Sequence, residues 1–128
     1  IYDLLEKVLS EVLSINLNWK DYENSQLNEE TFIKMFIAIT NFQKSLSRRC
    51  HRGYEETIGK IIREQLEIIF LQMLMNEFPT EDKEALKGTA VMLSWGLYGA
   101  SVEWRKSYKN SPPEEYIKRS IPYFISWK

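Results

Sequence analysis

The chain predicts an all-α fold, and three observations carry that prediction. Apolar residues recur at steps of three and four along most of its length. Capping residues and prolines punctuate those runs at helix-length intervals. No hairpin dipeptide flanked by alternating residues occurs, nor any internal repeat or low-complexity tract. At 128 residues the length suits one domain over 1–128, large enough for its own core.

Leu5, Val8, Leu9, Val12 and Leu13 form one stripe of a first helix over about 2–15. From Asn16 to Asn28 the periodicity lapses, and the segment reads as a loop held to the body by Trp19 and Tyr22. Asn28 is an N-cap for a second helix, with Glu29 and Glu30 at its positive end and Leu27 and Phe32 at staple positions. Its apolar face runs Phe32, Met35, Phe36, Ile39, Phe42 and Leu46, and the cations Arg48, Arg49, His51 and Arg52 lead to a stop at Gly53. The third helix runs from about Tyr54 to Glu77 and turns apolar all round in its second half, which places that half centrally. Thr80 is read as the cap of a fourth helix reaching about Lys109, and Ser111-Pro-Pro-Glu114 as the capping box of a fifth. Pro122 predicts a kink in that last helix.

The fourth helix carries two stripes. Leu86, Ala90, Leu93, Leu97, Ala100 and Trp104 form a lengthwise seam, and Val91, Trp95, Tyr98 and Val102 lie roughly opposite. Gly88, Gly96 and Gly99 admit a close neighbour, although each interior glycine costs about 1 kcal/mol against alanine. The fifth helix repeats the design, with Ile117, Ile121, Phe124 and Ile125 on one side and Tyr116, Ser120, Tyr123 and Trp127 on the other. Two such helices exceed what one small core covers, so the surplus predicts a homodimer through Leu93, Leu97, Ala100, Trp104, Ile117, Ile121 and Phe124.

The charges exclude some classes of function. The 17 basic against 18 acidic residues provide no net positive grip on phosphates. The single cysteine, Cys50, precludes an internal disulfide and fits a reducing, cytoplasmic setting. No apolar run approaches the roughly 18–20 residues of a membrane span, so no membrane partner is expected. Cys50 and His51 are adjacent without further ligands, and no metal or cofactor is expected. Glu29-Glu30, Glu55-Glu56 and Glu114-Glu115 point apart on their helices, and no nucleophile elbow or phosphate loop appears, so no catalytic residues and no enzyme activity are expected. Aromatic and methionine side chains on the middle helices suit an apolar pocket for a small molecule, lined by Phe36, Ile39, Phe42, Ile62, Ile69, Met73, Trp95 and Tyr98. The same residues equally suit a packed core.

The stretch from Met92, MLSWGLYGASVEWRKSYKNSPPEEYIKRSIPYF, resembles the end of the effector-binding domain of TetR-type transcriptional regulators. It shares a long helix with small residues (Gly96, Gly99), a tryptophan near its end (Trp104), a polar Ser111-Pro112 loop and a final helix. The resemblance implies that the last two helices pair with their copies in a four-helix bundle. It implies too that helices two to four enclose a small apolar or aromatic effector. A repressor follows, released by that effector and touching DNA only through an N-terminal helix-turn-helix head not present in this chain. The initial Ile1 fits a sequence that lacks such a head. The rival reading is a helical protein–protein interaction module with no link to DNA.

Overall fold

The computed structural model describes residues 2–125. Its elements are α1 (Tyr2–Asn16), a short 3₁₀ turn (Trp19–Tyr22), α2 (Glu29–Ser45), α3 (Arg48–Glu77), α4 (Lys83–Ser107) and α5 (Pro113–Ile125), and no strand occurs among the described residues. The all-helical bundle predicted from periodicity is therefore the fold. Trp127 lies outside the described residues.

α4 lies along α3 and also touches α2, while α5 rests chiefly on α2 and meets α4 only marginally. α1 closes the other side against α2 and α3. The core gathers Leu9, Leu13 and Leu17 with the inner faces of α2, α3 and α4. Asn28 caps α2 as predicted, its Oδ1 accepting from the Thr31 N–H and hydroxyl.

Four helix boundaries differ from the sequence reading: the end of α2 and the starts of α3, α4 and α5. The second helix ends at Ser45 rather than at Gly53, and the basic cluster opens α3. Ser47 causes this, because its hydroxyl accepts the Cys50 N–H and starts a new helix. His51 then reaches back, its Nε2–H donating to the Gln43 carbonyl at 2.8 Å in the last turn of α2. The break expected at Gly53 appears only as a kink, with Tyr54 at φ −135° and ψ 28° inside a continuing helix. The cap of α4 is Asp82 rather than Thr80, its carboxylate accepting the Glu84 N–H. α5 begins at Pro113, one residue beyond the capping-box reading, and continues through Pro122. Val8, placed on the core stripe from sequence, is exposed.

The 3₁₀ turn ties the first loop down as expected, since Tyr22 is buried and Lys34 sits 4.9 Å from its ring centroid. Burial, aided by the neighbouring Asp21 carboxylate, pushes the Tyr22 hydroxyl up to about 12 from an ordinary 10.0. The unfolded chain releases this proton near pH 10 and the folded chain holds it to about pH 12, so this stability is present below pH 10 and lost as pH rises to 12. At about 1.4 kcal/mol per unit, unfolding free energy should fall by about 2 kcal/mol between pH 9 and 11.5. Urea titrations at both pH values check this, and Tyr22→Phe should remove that part of the fall.

Candidate functional site

Aromatic and methionine side chains are the residues a pocket needs and also those a core consumes. Phe36, Ile39, Phe42, Ile62 and Ile69 have no exposed surface, and Met73 is nearly as buried. These six belong to one buried cluster on α2 and α3, and Met73 also borders a polar opening beside Asn76 and Glu77. These six of the expected pocket residues therefore sit in the core of the chain. Trp95 and Tyr98 lie apart from the six. The Arg63 guanidinium stacks 3.8 Å from the centroid of the exposed Trp95 ring and 5.2 Å from that of half-buried Tyr98. Burial raises the Tyr98 hydroxyl above its ordinary value, and Glu55 adds to this while Arg63 and Arg105 oppose it.

The residues expected between two copies divide in the same way. Leu97, Trp104, Ile117 and Ile121 are buried within this chain, and Leu93, Ala100 and Phe124 are half-buried. The seam they define faces α2, where the Gln43 Nε2–H donates to Ser101 Oγ at 2.9 Å, so these four buried side chains are not available to a second copy. The opposite stripe, with Tyr98, faces α3 across Gly59. Of the two predicted stripes of α4, the first is covered by its own chain at Leu86, Ala90, Leu97 and Trp104, whereas the second is covered only in part, with Tyr98 half-buried and Trp95 exposed.

A third face of α4 remains uncovered. Gly88, Met92, Trp95, Gly96 and Gly99 recur at helical spacing, and all are exposed, Met92 by 74% and Trp95 by 54%. A side chain added at Gly88 or Gly99 would meet nothing within 4 Å. Sequence periodicity alone missed this face because its glycines carry no hydrophobic signal. The surface continues toward α5, since the Phe124 ring comes within 3.4 Å of where a Cβ on Gly96 would stand. Beside it, Phe32, Leu97, Ala100, Ile117, Ile121 and Phe124 surround an almost wholly apolar recess of about 100 Å³.

A larger cleft of about 250 Å³ opens at the α4–α5 turn, bordered by Tyr108, Ser111, Glu115, Tyr116, Arg119 and Ser120. The turn is held by two bonds. Trp104 Nε1–H donates to the Ser111 carbonyl at 2.9 Å, and the Ser111 N–H donates to the Tyr108 carbonyl at 2.9 Å. Tyr108 and Tyr116 lie with ring centroids 5.2 Å apart, and Tyr116 stacks on Phe36 at 6.0 Å. Burial, with Glu103 and Tyr108 adding to it, raises the Tyr116 hydroxyl, which stays protonated at physiological pH. The trace of this cleft in the sequence is the polar side of the last helix, where Tyr116 and Ser120 are one turn apart.

Among the described residues no group of three or more metal-ligating side chains occurs, and no helix is long and apolar enough to cross a membrane. Comparison of the chain with protein-family models, curated proteins and solved structures gave no match.

Proposed function

We propose that this chain is the dimerisation and effector-sensing domain of a TetR-type transcriptional regulator, a cytoplasmic repressor in which the uncovered face of α4 meets a second copy. The observation that carries the reading is that face, with Met92 and Trp95 near its centre and open glycines toward its ends. Two copies paired antiparallel bring Gly88 of one opposite Gly99 of the other, so the backbones approach closely and the two apolar side chains lose contact with water. The same pairing sets the acidic start of α4, with Glu81, Asp82 and Glu84, against the basic end of its copy, with Arg105, Lys106 and Lys109, and opposes the helix dipoles. Phe124 extends the surface to α5, which gives the four-helix arrangement that the resemblance implies.

The apolar recess between α4 and α5 adjoins this face and shares Gly96 and Phe124 with it. A small apolar or aromatic effector entering there would move α5 against α4 and so change the pairing, which in turn sets the spacing of two DNA-binding heads. The chain's role is sensing and pairing rather than catalysis.

Light scattering tests the pairing. The chain should show about twice its 15.3 kDa mass, and Gly99→Arg should give a folded monomer, because the arginine has open space within one chain and none between two. A monomer at every concentration overturns the reading. A second reading, a helical module for a different protein, draws on α1, where Leu4, Val8 and Ile15 form an exposed apolar stripe. It takes precedence if the chain stays a monomer at every concentration, which leaves the α1 stripe open to a different partner. A basic helix-turn-helix stretch encoded before Ile1 would support the regulator over the module.

A further inference from the structure

The cleft at the α4–α5 turn holds a set of polar groups that the pairing does not use. Glu115 and Arg119 stand one turn apart on α5 and both border the cleft, yet neither makes an ion pair among the described residues. The neighbouring turn of the same helix behaves differently, since Lys118 and Glu114 do pair at 3.4 Å. Ser120 also borders the cleft, and its hydroxyl makes no hydrogen bond among the described residues. The paired rings of Tyr108 and Tyr116 border the same cleft, with Phe36 stacked on Tyr116. The Trp104 bond to Ser111 holds the loop that forms the rim of the cleft.

We propose that this cleft binds a single-ring aromatic carboxylate, stacked on the Tyr108–Tyr116 pair with its carboxylate on Arg119 and Ser120 and a ring hydroxyl toward Glu115. The volume of about 250 Å³ lies below the range of about 300–1,000 Å³ usual for drug-sized ligands and limits the occupant to one substituted ring. The tyrosine faces supply stacking, which selects a planar apolar body. Arg119 supplies a charge-assisted, two-pronged donor that matches a carboxylate. Glu115, acceptor only, suits a hydroxyl donor at the other end of the ring. This site adjoins the apolar recess, with which it shares Ser120, and it holds whether or not the chain regulates transcription.

The probe is 4-hydroxybenzoate, titrated into the intact chain and followed by amide chemical shifts. Saturable shifts should centre on Tyr108, Ser111, Tyr116 and Ser120, with Kd on the order of 0.1–1 mM for so small a ligand. Tyr116 also supports the core through Phe36, so the deciding variant is Arg119→Gln at an exposed position. It should fold normally and bind about tenfold more weakly or worse. 4-Hydroxybenzamide, which keeps the ring and loses the charge, should weaken to a similar degree. The proposal is overturned if no saturable shift appears below about 10 mM probe, if Arg119→Gln binds as the unaltered chain does, or if tyramine, with an ammonium in place of the carboxylate, binds more tightly.

Discussion

Trp104→Ala should lower the unfolding free energy by about 3–5 kcal/mol, the range for removing a large aromatic from a packed core. The ring is essentially fully buried near the end of α4, its Nε1–H is satisfied by the Ser111 carbonyl, and Lys44 Nζ lies 5.3 Å from the ring centroid. Truncation leaves a cavity at that point and an orphaned carbonyl on the loop to α5. Domains of this size are stable by about 5–15 kcal/mol, so the loss is a large share of the total and should lower Tm by on the order of 10–20 °C. Trp104→Phe separates the two contributions. It keeps most of the volume and loses the indole donor, and should cost about 1–2 kcal/mol. Guanidinium titrations of both variants check this. A Trp104→Ala loss under about 1 kcal/mol would mean that the ring is not part of the core.

Gly59→Val should be nearly as damaging, by about 2–4 kcal/mol, although it replaces a helical glycine. A Cβ at this position would stand 2.5 Å from the Tyr98 hydroxyl oxygen, 2.8 Å from Tyr98 Cζ and 2.9 Å from Arg63 Nη1. Those contacts lie inside van der Waals distance, so the Tyr98 ring and the Arg63 side chain would both have to shift. Gly59 is therefore where α3 admits Tyr98 of α4. Gly59→Ala provides the sharper test because two effects of opposite sign compete. The methyl gains about 1 kcal/mol of helix propensity and meets the Tyr98 ring. With Tyr98 present the clash should prevail and the change should destabilise. In a Tyr98→Leu background the ring is gone, and the same change should stabilise. A double-mutant cycle measures the coupling, which should exceed about 1 kcal/mol; additive effects would show that the two helices do not meet here.

Much of the fold was legible in local chemistry. Asn28 followed by two glutamates marked the start of α2 because a cap side chain acts on its own first turn. Trp19 and Tyr22 marked a loop bound to the body, and Tyr22 is buried there. The α2–α3 break was misplaced because Gly53 and the cations before it form the usual helix stop, whereas Leu46-Ser47 contains neither glycine nor proline. What ends α2 is Ser47 capping a new helix, assisted by a His51 bond across the junction, and the partner of that bond is settled by the packing of one helix on the next.

The site was less legible, for a different reason. Leu97, Ile117 and Ile121 were rightly read as apolar faces, but the wall covering them is α2 rather than a second copy. Phe36, Phe42 and Ile69 were rightly read as clustered, but the cluster closes on itself. By itself, the sequence determined the helical class, most helix boundaries and the apolar side of each helix, because caps and periodicity act within a turn or two of the chain. Only the tertiary structure decided which apolar side meets its own chain, which stays open along Gly88, Met92, Trp95 and Gly99, and where Tyr108 and Tyr116 enclose a cleft. The physical reason is that hydrophobic attraction has no direction: periodicity specifies that a face leaves water, and the path of the whole chain specifies what covers it.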